Sequence, residues 1–447
     1  MAGERITGGQ ASIAALALSA ALIASPAFGG DWTQAYIGVG MGADVLTADG
    51  QVDLAGGDSV RGSAPVGGDL GLSITAGADY QLNSSFVVGA FVTYDWSNID
   101  TTASITDGFN SASANLLKID QSWTVGGRFG VLATPSTLIY ALLGYTWLEL
   151  DDMSFSAFGQ SASFALPDAN GWTVGGGFEH KLSNNVSLRG EYRYTDFGQE
   201  TLLDVPGLAS ITGDGSLHVA RLVAAYRFGG SQDAPAPETA APPRNWTGAY
   251  FGGGVGVEAF VRDLDVNVPF VGASASLDGL GGGSFGGGLV AGYDVMLTPT
   301  VVGGVFGSFD WSNSEFTVSA SALGQSVSAE FLSLDRSFTI AGRLGLVIDN
   351  DALVYALAGY SRVELNDLTL SGGGASVTLA FPTLDGFTVG GGFERLISDN
   401  VSLRAEYRYT MLDDVSIPIV AGLADMDIDS SLHSAKLTAT YRFHGGQ

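Results

Sequence analysis

The chain contains no cysteine. That rules out disulfides, thiolate nucleophiles and cysteine-bound metal, and it suits a protein that crosses an oxidising compartment unfolded. Charge is scarce as well. Only 15% of the 447 residues are Asp, Glu, Lys or Arg, against about a quarter in ordinary soluble domains. Bases are the scarcer sign: 19 Lys and Arg face 46 Asp and Glu, for a net charge of −27. Binding driven by neutralising nucleic-acid phosphates is therefore disfavoured. Beyond the first thirty positions there is no run of eighteen apolar residues, which argues against helical membrane spans. Clusters such as Gly281-Gly282-Gly283 and Gly286-Gly287-Gly288 open no helix and are followed by no Lys-Ser/Thr, so a phosphate loop is excluded.

What is present is apolar surface and glycine. Apolar residues make up 46% of the chain, glycine numbers 65, and the mean hydropathy is +0.25. A hydrophobic, glycine-rich chain without membrane helices points to the closed β-barrel, whose strands carry only a weak alternating signal. The N-terminus reads as an export signal: Arg5, an apolar core from Ala11 to Ala24, then Ser25-Pro26-Ala27 as a small-x-small cleavage site.

The sequence then repeats itself at a fixed offset of 215 residues. NVSLRGEYRYT from Asn185 recurs as NVSLRAEYRYT from Asn400, and GWTVGGGFE from Gly171 as GFTVGGGFE from Gly386. SWTVGGRFG from Ser122 matches SFTIAGRLG from Ser337, and SLHVARLVAAYRF from Ser216 matches SLHSAKLTATYRF from Ser431. A unit of this length is a whole domain. Between the copies, GGSQDAPAPETAAPPR reads as an extended linker. The expected division is a signal peptide at 1–27, a first unit at 28–228, a linker at 229–244 and a second unit at 245–447.

Within each unit the period is two. Ala435, Leu437, Ala439, Tyr441 and Phe443 share one face, while Ser434, Lys436, Thr438, Thr440 and Arg442 share the other. Similar segments start at Tyr36, Leu70, Phe86, Ser122, Trp172, Val186 and His218; Val87 and Phe91 break the polar face of theirs. The segment from Leu138 to Leu150 does not alternate cleanly, and its faces stay unassigned. Three connections are short (QLNSS, ATPST, LSNN). Four are long: Asp44 to Gly67, Ile99 to Ile119, Asp151 to Asn170 and Gln199 to Gly215. Short turns on one side and long loops on the other mark outer-membrane barrels. The fold class expected is all-β: two tandem eight-stranded antiparallel transmembrane β-barrels. One sixteen-stranded barrel would keep the same topology, and the long linker argues only weakly against it.

The opening WTxxY, the GWTVGGGFE and LRxEYRY blocks and the closing YRF resemble the opacity-type family of small outer-membrane β-barrel proteins found in alphaproteobacteria. The resemblance covers nearly all of each copy. It implies a non-enzymatic, eight-stranded barrel of the cell outer membrane with variable surface loops and no cofactor. Tyr441 and Phe443 resemble the C-terminal aromatic signal read by the barrel assembly machinery, although His444-Gly445-Gly446-Gln447 follow.

The polar faces carry charges: Arg128, Glu179, Arg189, Glu191 and Arg193 in the first copy, and Arg343, Glu394, Arg404, Glu406 and Arg408 in the second. An eight-stranded barrel has room inside for side chains and little else, so these are expected to pair into a structural plug. The alternative is a charged constriction in a porin-like diffusion channel. His218 and His433 have alanine, not serine, two residues later, at Ala220 and Ala435. The His/Ser spacing of outer-membrane lipid A deacylases is thus missing, and an interfacial histidine is the better reading. Acids collect in the long loops: Asp44, Asp49, Asp53, Asp58, Asp100, Asp107, Asp151, Asp152, Asp168 and Asp204. A solvated surface is the plain reading; bridging by divalent cations to lipopolysaccharide phosphates is the sharper one. The expected role is structural and surface-interacting.

Overall fold

The computed structural model describes residues 32–54, 59–97, 99–205, 209–229, 244–270, 272–312, 317–322, 325–330, 334–349, 351–372, 375–379, 382–420 and 424–443. The expected export signal, and residues 230–243 of the expected linker, lie outside the described residues.

Copy one runs through β1 (Ala35–Leu54), β2 (Ser59–Gln81), β3 (Phe86–Trp96), β4 (Asp100–Thr106), β5 (Ser111–Thr134) and β6 (Thr137–Leu150). It continues through β7 (Met153–Ala157), β8 (Gln160–Phe164), β9 (Ala169–Lys181), β10 (Val186–Val205) and β11 (Ala209–Arg227). Copy two begins with β12 (Gly248–Val268), β13 (Ala273–Thr298), β14 (Val301–Ser312), β15 (Thr317–Ala322), β16 (Gln325–Glu330) and β17 (Leu334–Asp349). It ends with β18 (Ala352–Leu365), β19 (Leu368–Gly372), β20 (Ala375–Leu379), β21 (Leu384–Leu396), β22 (Val401–Leu412), β23 (Val415–Val420) and β24 (Ala424–Phe443).

Each copy closes on itself. The first ring is β1, β2, β3, β5, β6, β9, β10 and β11, and β11 pairs back onto β1. The second is β12, β13, β14, β17, β18, β21, β22 and β24, and β24 pairs back onto β12. All of these pairings are antiparallel. The sixteen-stranded alternative is thereby set aside.

Alternation sorts the strands into a lipid face and a lumen. Along β1, Ile37, Val39 and Met41 point outward and are exposed, while Tyr36, Gly38, Gly40 and Gly42 are buried inside. The unassigned segment resolves in the same way. On β6, Leu138, Tyr140, Leu142, Thr146 and Leu148 are buried inside, while Ile139 and Leu143 are exposed. Its alternation is hidden because both ends of the lumen are themselves apolar. Near the short turns, Trp32, Tyr36, Val87, Phe91, Leu138 and Tyr140 pack together. Val87 and Phe91 therefore break the polar face only because they belong to this inner cluster. At the far end Leu46, Ile99, Ile119, Leu148, Phe197 and Leu217 form a second cluster. Copy two has matching clusters around Tyr250, Phe306 and Tyr355 and around Phe260, Leu384 and Leu412.

The four long connections are not loops. β1, β2, β10 and β11 run about twenty residues each, roughly twice what a bilayer crossing needs. The remaining two connections form the hairpin of β4 with the start of β5 and the β7–β8 hairpin. The surplus lies at the end away from the short turns. Short runs rich in Ser, Ala and Thr, such as SASA and QSASF, pair as strands there, and Phe155 meets Phe164 edge to face at 6.0 Å across the β7–β8 hairpin.

The barrels lie side by side. Ala43, Val45 and Ala220 face outward from the first barrel yet are buried, packed against Val257, Ala259 and Ala435 of the second. Phe178 stacks on Phe393 with ring centroids 6.1 Å apart. Without a hydrophobic drive between apolar surfaces in lipid, small residues are what permit such close approach. Beyond the lipid belt the hairpins join: β4 pairs with β13 and β15 with β2.

Candidate functional site

The strongest concentration of chemistry is inside the barrels. In copy one, β5 carries Arg128 into the lumen, where its Nε donates to Asp79 at 2.8 Å and its Nη1 to Glu179 at 2.8 Å. Arg227 joins the same two acids at 2.6 and 2.9 Å. Arg189 reaches Glu179 at 3.1 Å, and Ser187 donates to the other oxygen of Glu179 at 2.6 Å. Glu179 is therefore a hub for three guanidinium groups. One turn of the barrel further on, Glu191 accepts from the Tyr140 hydroxyl at 2.5 Å and lies 3.4 Å from Arg193. Arg193 donates to Asp95 at 2.8 Å, and Arg221 clasps Asp44 at 2.5 and 2.8 Å. Gly71 leaves the space for that last pair, since a Cβ there would sit 2.1 Å from the Asp44 carboxylate. Arg128 also lies 4.9 Å from the ring centres of both Tyr36 and Tyr140.

Copy two builds the same arrangement. Glu394 is the hub, with Arg343 at 2.8 Å, Arg404 at 3.1 Å, Arg442 at 2.9 Å and the Ser402 hydroxyl at 2.6 Å. Arg343 also pairs with Asp294. Arg408 bridges Glu406 and Asp310, and Lys436 bridges Glu258 at 3.0 Å and Asp310 at 2.7 Å. Beside each network runs a row of hydroxyls across four consecutive strands. Thr124, Thr146, Thr173 and Thr195 are linked at 2.5–2.8 Å in copy one. Thr339, Ser361, Thr388 and Thr410 are linked at 2.6–2.8 Å in copy two.

All ten charged residues singled out from the sequence lie in the two lumens, five in each. An equal number of network members was not singled out from the sequence: Asp44, Asp79, Asp95, Arg221 and Arg227, then Glu258, Asp294, Asp310, Lys436 and Arg442, although the alternation already puts Asp79, Asp95, Lys436 and Arg442 on polar faces. The signal available was charge balance. Each ion-paired set holds five bases and five acids, so the net −27 resides outside both networks. Asp44 corrects an expectation directly. It is not a loop acid but a buried lumen residue, because β1 continues ten residues past it.

Tyr441 and Phe443 lie on the outer face, exposed and edge to face at 5.0 Å; Tyr226 and Phe228 repeat this at 5.1 Å. His218 accepts or donates at Nδ1 to the Tyr192 hydroxyl at 2.9 Å, and His433 does so to Tyr407 at 2.7 Å. Among the described residues, no group of three or more His, Asp or Glu is arranged to hold a metal ion. Outside the spans, Asp107 caps its own hairpin. The amides of Asn110 and Phe109 donate to its carboxylate and hold its pKa below the usual carboxylate value.

The outer membrane protein beta-barrel domain family matches twice, over residues 14–228 and 234–443. The 31 kDa outer-membrane immunogenic proteins of Brucella melitensis and Brucella suis are each 29% identical over 205 residues, covering 44% of this chain and 84% of theirs. Among solved structures, Ail of Yersinia pestis aligns at 16% identity and TM-score 0.23, over 45% of this chain and all of its own. Neisserial surface protein A aligns at 15% identity and TM-score 0.24, over 44% of this chain and 99% of its own. The doubled family match, the two closed rings and their lipid-facing apolar belts agree: this chain belongs to the outer membrane protein beta-barrel domain family, as a non-enzymatic tandem protein of the outer membrane.

Proposed function

We propose that both barrels are plugged and non-conducting, and that the protein serves the envelope as a structural element presenting paired hairpins outward. One observation carries this reading. In each lumen a charge-balanced, hydrogen-bonded network fills the middle and an apolar cluster closes each end. A diffusion channel needs water along its axis, whereas buried ion pairs between dry clusters resist it. Planar-bilayer recording tests the point. The expected result is no steady conductance; stable nanosiemens openings would overturn it. A second arm uses Glu191→Ala and Arg193→Ala, which are expected to lower stability in urea. Wild-type stability combined with altered single-channel current would remove the plug reading.

Residues 1–27 act as the export signal and 229–244 as a linker on the periplasmic side, between units spanning 28–228 and 245–447. The exposed Tyr441–Phe443 pair at the end of β24 serves the barrel assembly machinery. The excess acid outside the lumens supports divalent-cation bridging to lipopolysaccharide. A calcium titration of the protein in lipopolysaccharide-containing bilayers should raise its melting temperature, and an unchanged value would remove that partner.

A further inference from the structure

The two copies build one cavity that neither holds alone. It lies beyond the lipid belt, where β4 pairs with β13 through Ile105–Ala275 and Thr106–Ser274. Its volume is about 380 Å³, within the usual range for small-molecule sites of about 300–1,000 Å³. Copy one contributes Ile105, Ala112 and Phe158, and copy two contributes Val266, Val268 and Ala275. The lining surface is mainly apolar, with Thr106, Asp107, Asn110, Ser111 and Ser274 supplying its polar part. Asp107, which reaches the rim, is already occupied by the amides of Phe109 and Asn110.

Phe158 is the unusual member. It sits in the two-residue turn between β7 and β8 with φ +52°, followed by Gly159 with φ +73°. Turns of this kind favour Asn, Asp or Gly at both centres, and a bulky residue there is a true outlier. The chain supplies its own comparison. At the same repeat position copy two has Gly373-Gly374. The turn therefore has no need of a phenyl ring, and the ring is 77% exposed, so packing within the protein does not repay the strain. Strained side chains that hold no fold together are a mark of contact with something else.

We propose that this cleft binds one small, neutral, apolar molecule of medium chain length, with Phe158 closing over it. The mainly apolar lining favours an apolar ligand. The net charge of −27, carried outside the lumens, disfavours an anion. The site faces water and not lipid: Trp123, on the outer face of β5, stands eleven residues below Ala112, about 36 Å of strand.

The test uses the full chain in lipid nanodiscs with a diazirine-bearing dodecanol as photoprobe. Labelling is expected to saturate, to map by mass spectrometry to Ile105–Ala112, Phe158 and Val266–Ala275, and to be competed by dodecanol better than by dodecanoate. Phe158→Gly, which copies the other unit's turn, should weaken labelling about tenfold, the loss of one buried phenyl contact, with melting no lower than wild type. Ala275→Trp fills the cleft from the opposite copy and should abolish labelling even if Phe158→Gly proves unstable. Labelling that does not saturate, that spreads along the lipid belt, or that survives both substitutions overturns the proposal and leaves the exposed ring to a protein partner.

Discussion

The two barrels share a plan, and within the shared ion-pair network one pair has changed its residues. In copy one Asp44 faces Arg221, and in copy two Glu258 faces Lys436. A short acid meets the long, forked base, and a long acid meets the simple ammonium. The span across the lumen is kept while the chemistry changes. Both bases also reach a second acid, Asp95 or Asp310, but Arg221 grips Asp44 through two nitrogens, whereas Lys436 is a point charge shared between Glu258 and Asp310. The lesson is that the lumen selects for reach and balance, not for residue identity. The hubs behave differently: Glu179 and Glu394 keep identical partners, because three guanidinium groups around one carboxylate leave no slack.

The largest effect should come from the hubs. Glu179→Ala and Glu394→Ala each remove the acid shared by three buried cations, leaving Asp79 or Asp294 to hold two of them, and each is expected to lose about 3–5 kcal/mol in urea titrations of the full chain. Equal losses would confirm that the barrels are energetic twins; a loss confined to one would break the comparison. Next comes the contact between barrels. Gly190 of copy one faces Ala405 of copy two, and a Cβ on Gly190 would lie 2.5 Å from that of Ala405. Gly190→Ala should cost about 1–3 kcal/mol by overpacking, and Ala405→Gly in the same chain should restore it. No restoration would mean the barrels do not press together there.

The exchanged pair sharpens the comparison further. Arg221→Lys should cost about 1 kcal/mol through loss of its paired contacts. Adding Asp44→Glu, which recreates the copy-two pair, should recover most of that in a double-mutant cycle. The smallest effect is local. Asp107 holds its hairpin with a carboxyl whose pKa is lowered by the Asn110 and Phe109 amides. Its contribution is present above the ordinary carboxylate pKa and fades as pH falls through the lowered one. Amide protection at Phe109 and Asn110 should therefore drop in acid, corrected for intrinsic exchange. The equivalent stretch of copy two, Ala322-Leu323-Gly324-Gln325, has no acid to lose.

Much of this was legible in the sequence. Duplication showed as an exact-offset repeat, and the charged lumen showed because Arg189, Glu191 and Arg193 sit at every second position. Asp44 was misread because glycines on the lumen face of β1 hide its alternation, so the strand seemed to end early. The hairpins were misread as loops because their alternation, Met153, Phe155 and Ala157 against Ser154 and Ser156 for example, runs for only about five residues and is rich in small polar side chains. The barrel-to-barrel contact was invisible for another reason. Its residues are apolar and outward, like every lipid-facing residue, and only their small size sets Ala43, Ala220 and Ala435 apart. The composite cleft needs both copies in place, and no single stretch of chain encodes it.

Closure of each barrel has a kinetic side. β1 must wait for β11, and β12 for β24, so each seam joins segments far apart in the chain. Seams of this kind form late and slowly, and their waiting edges invite wrong partners. Here the wrong partner is always at hand, since β11 and β24 are near copies. Asp44–Arg221 and Glu258–Lys436 each cross one seam. The divergence of that single pair gives every opening strand a mate fitted to it, a mismatch penalty against strand exchange between the two halves of one molecule.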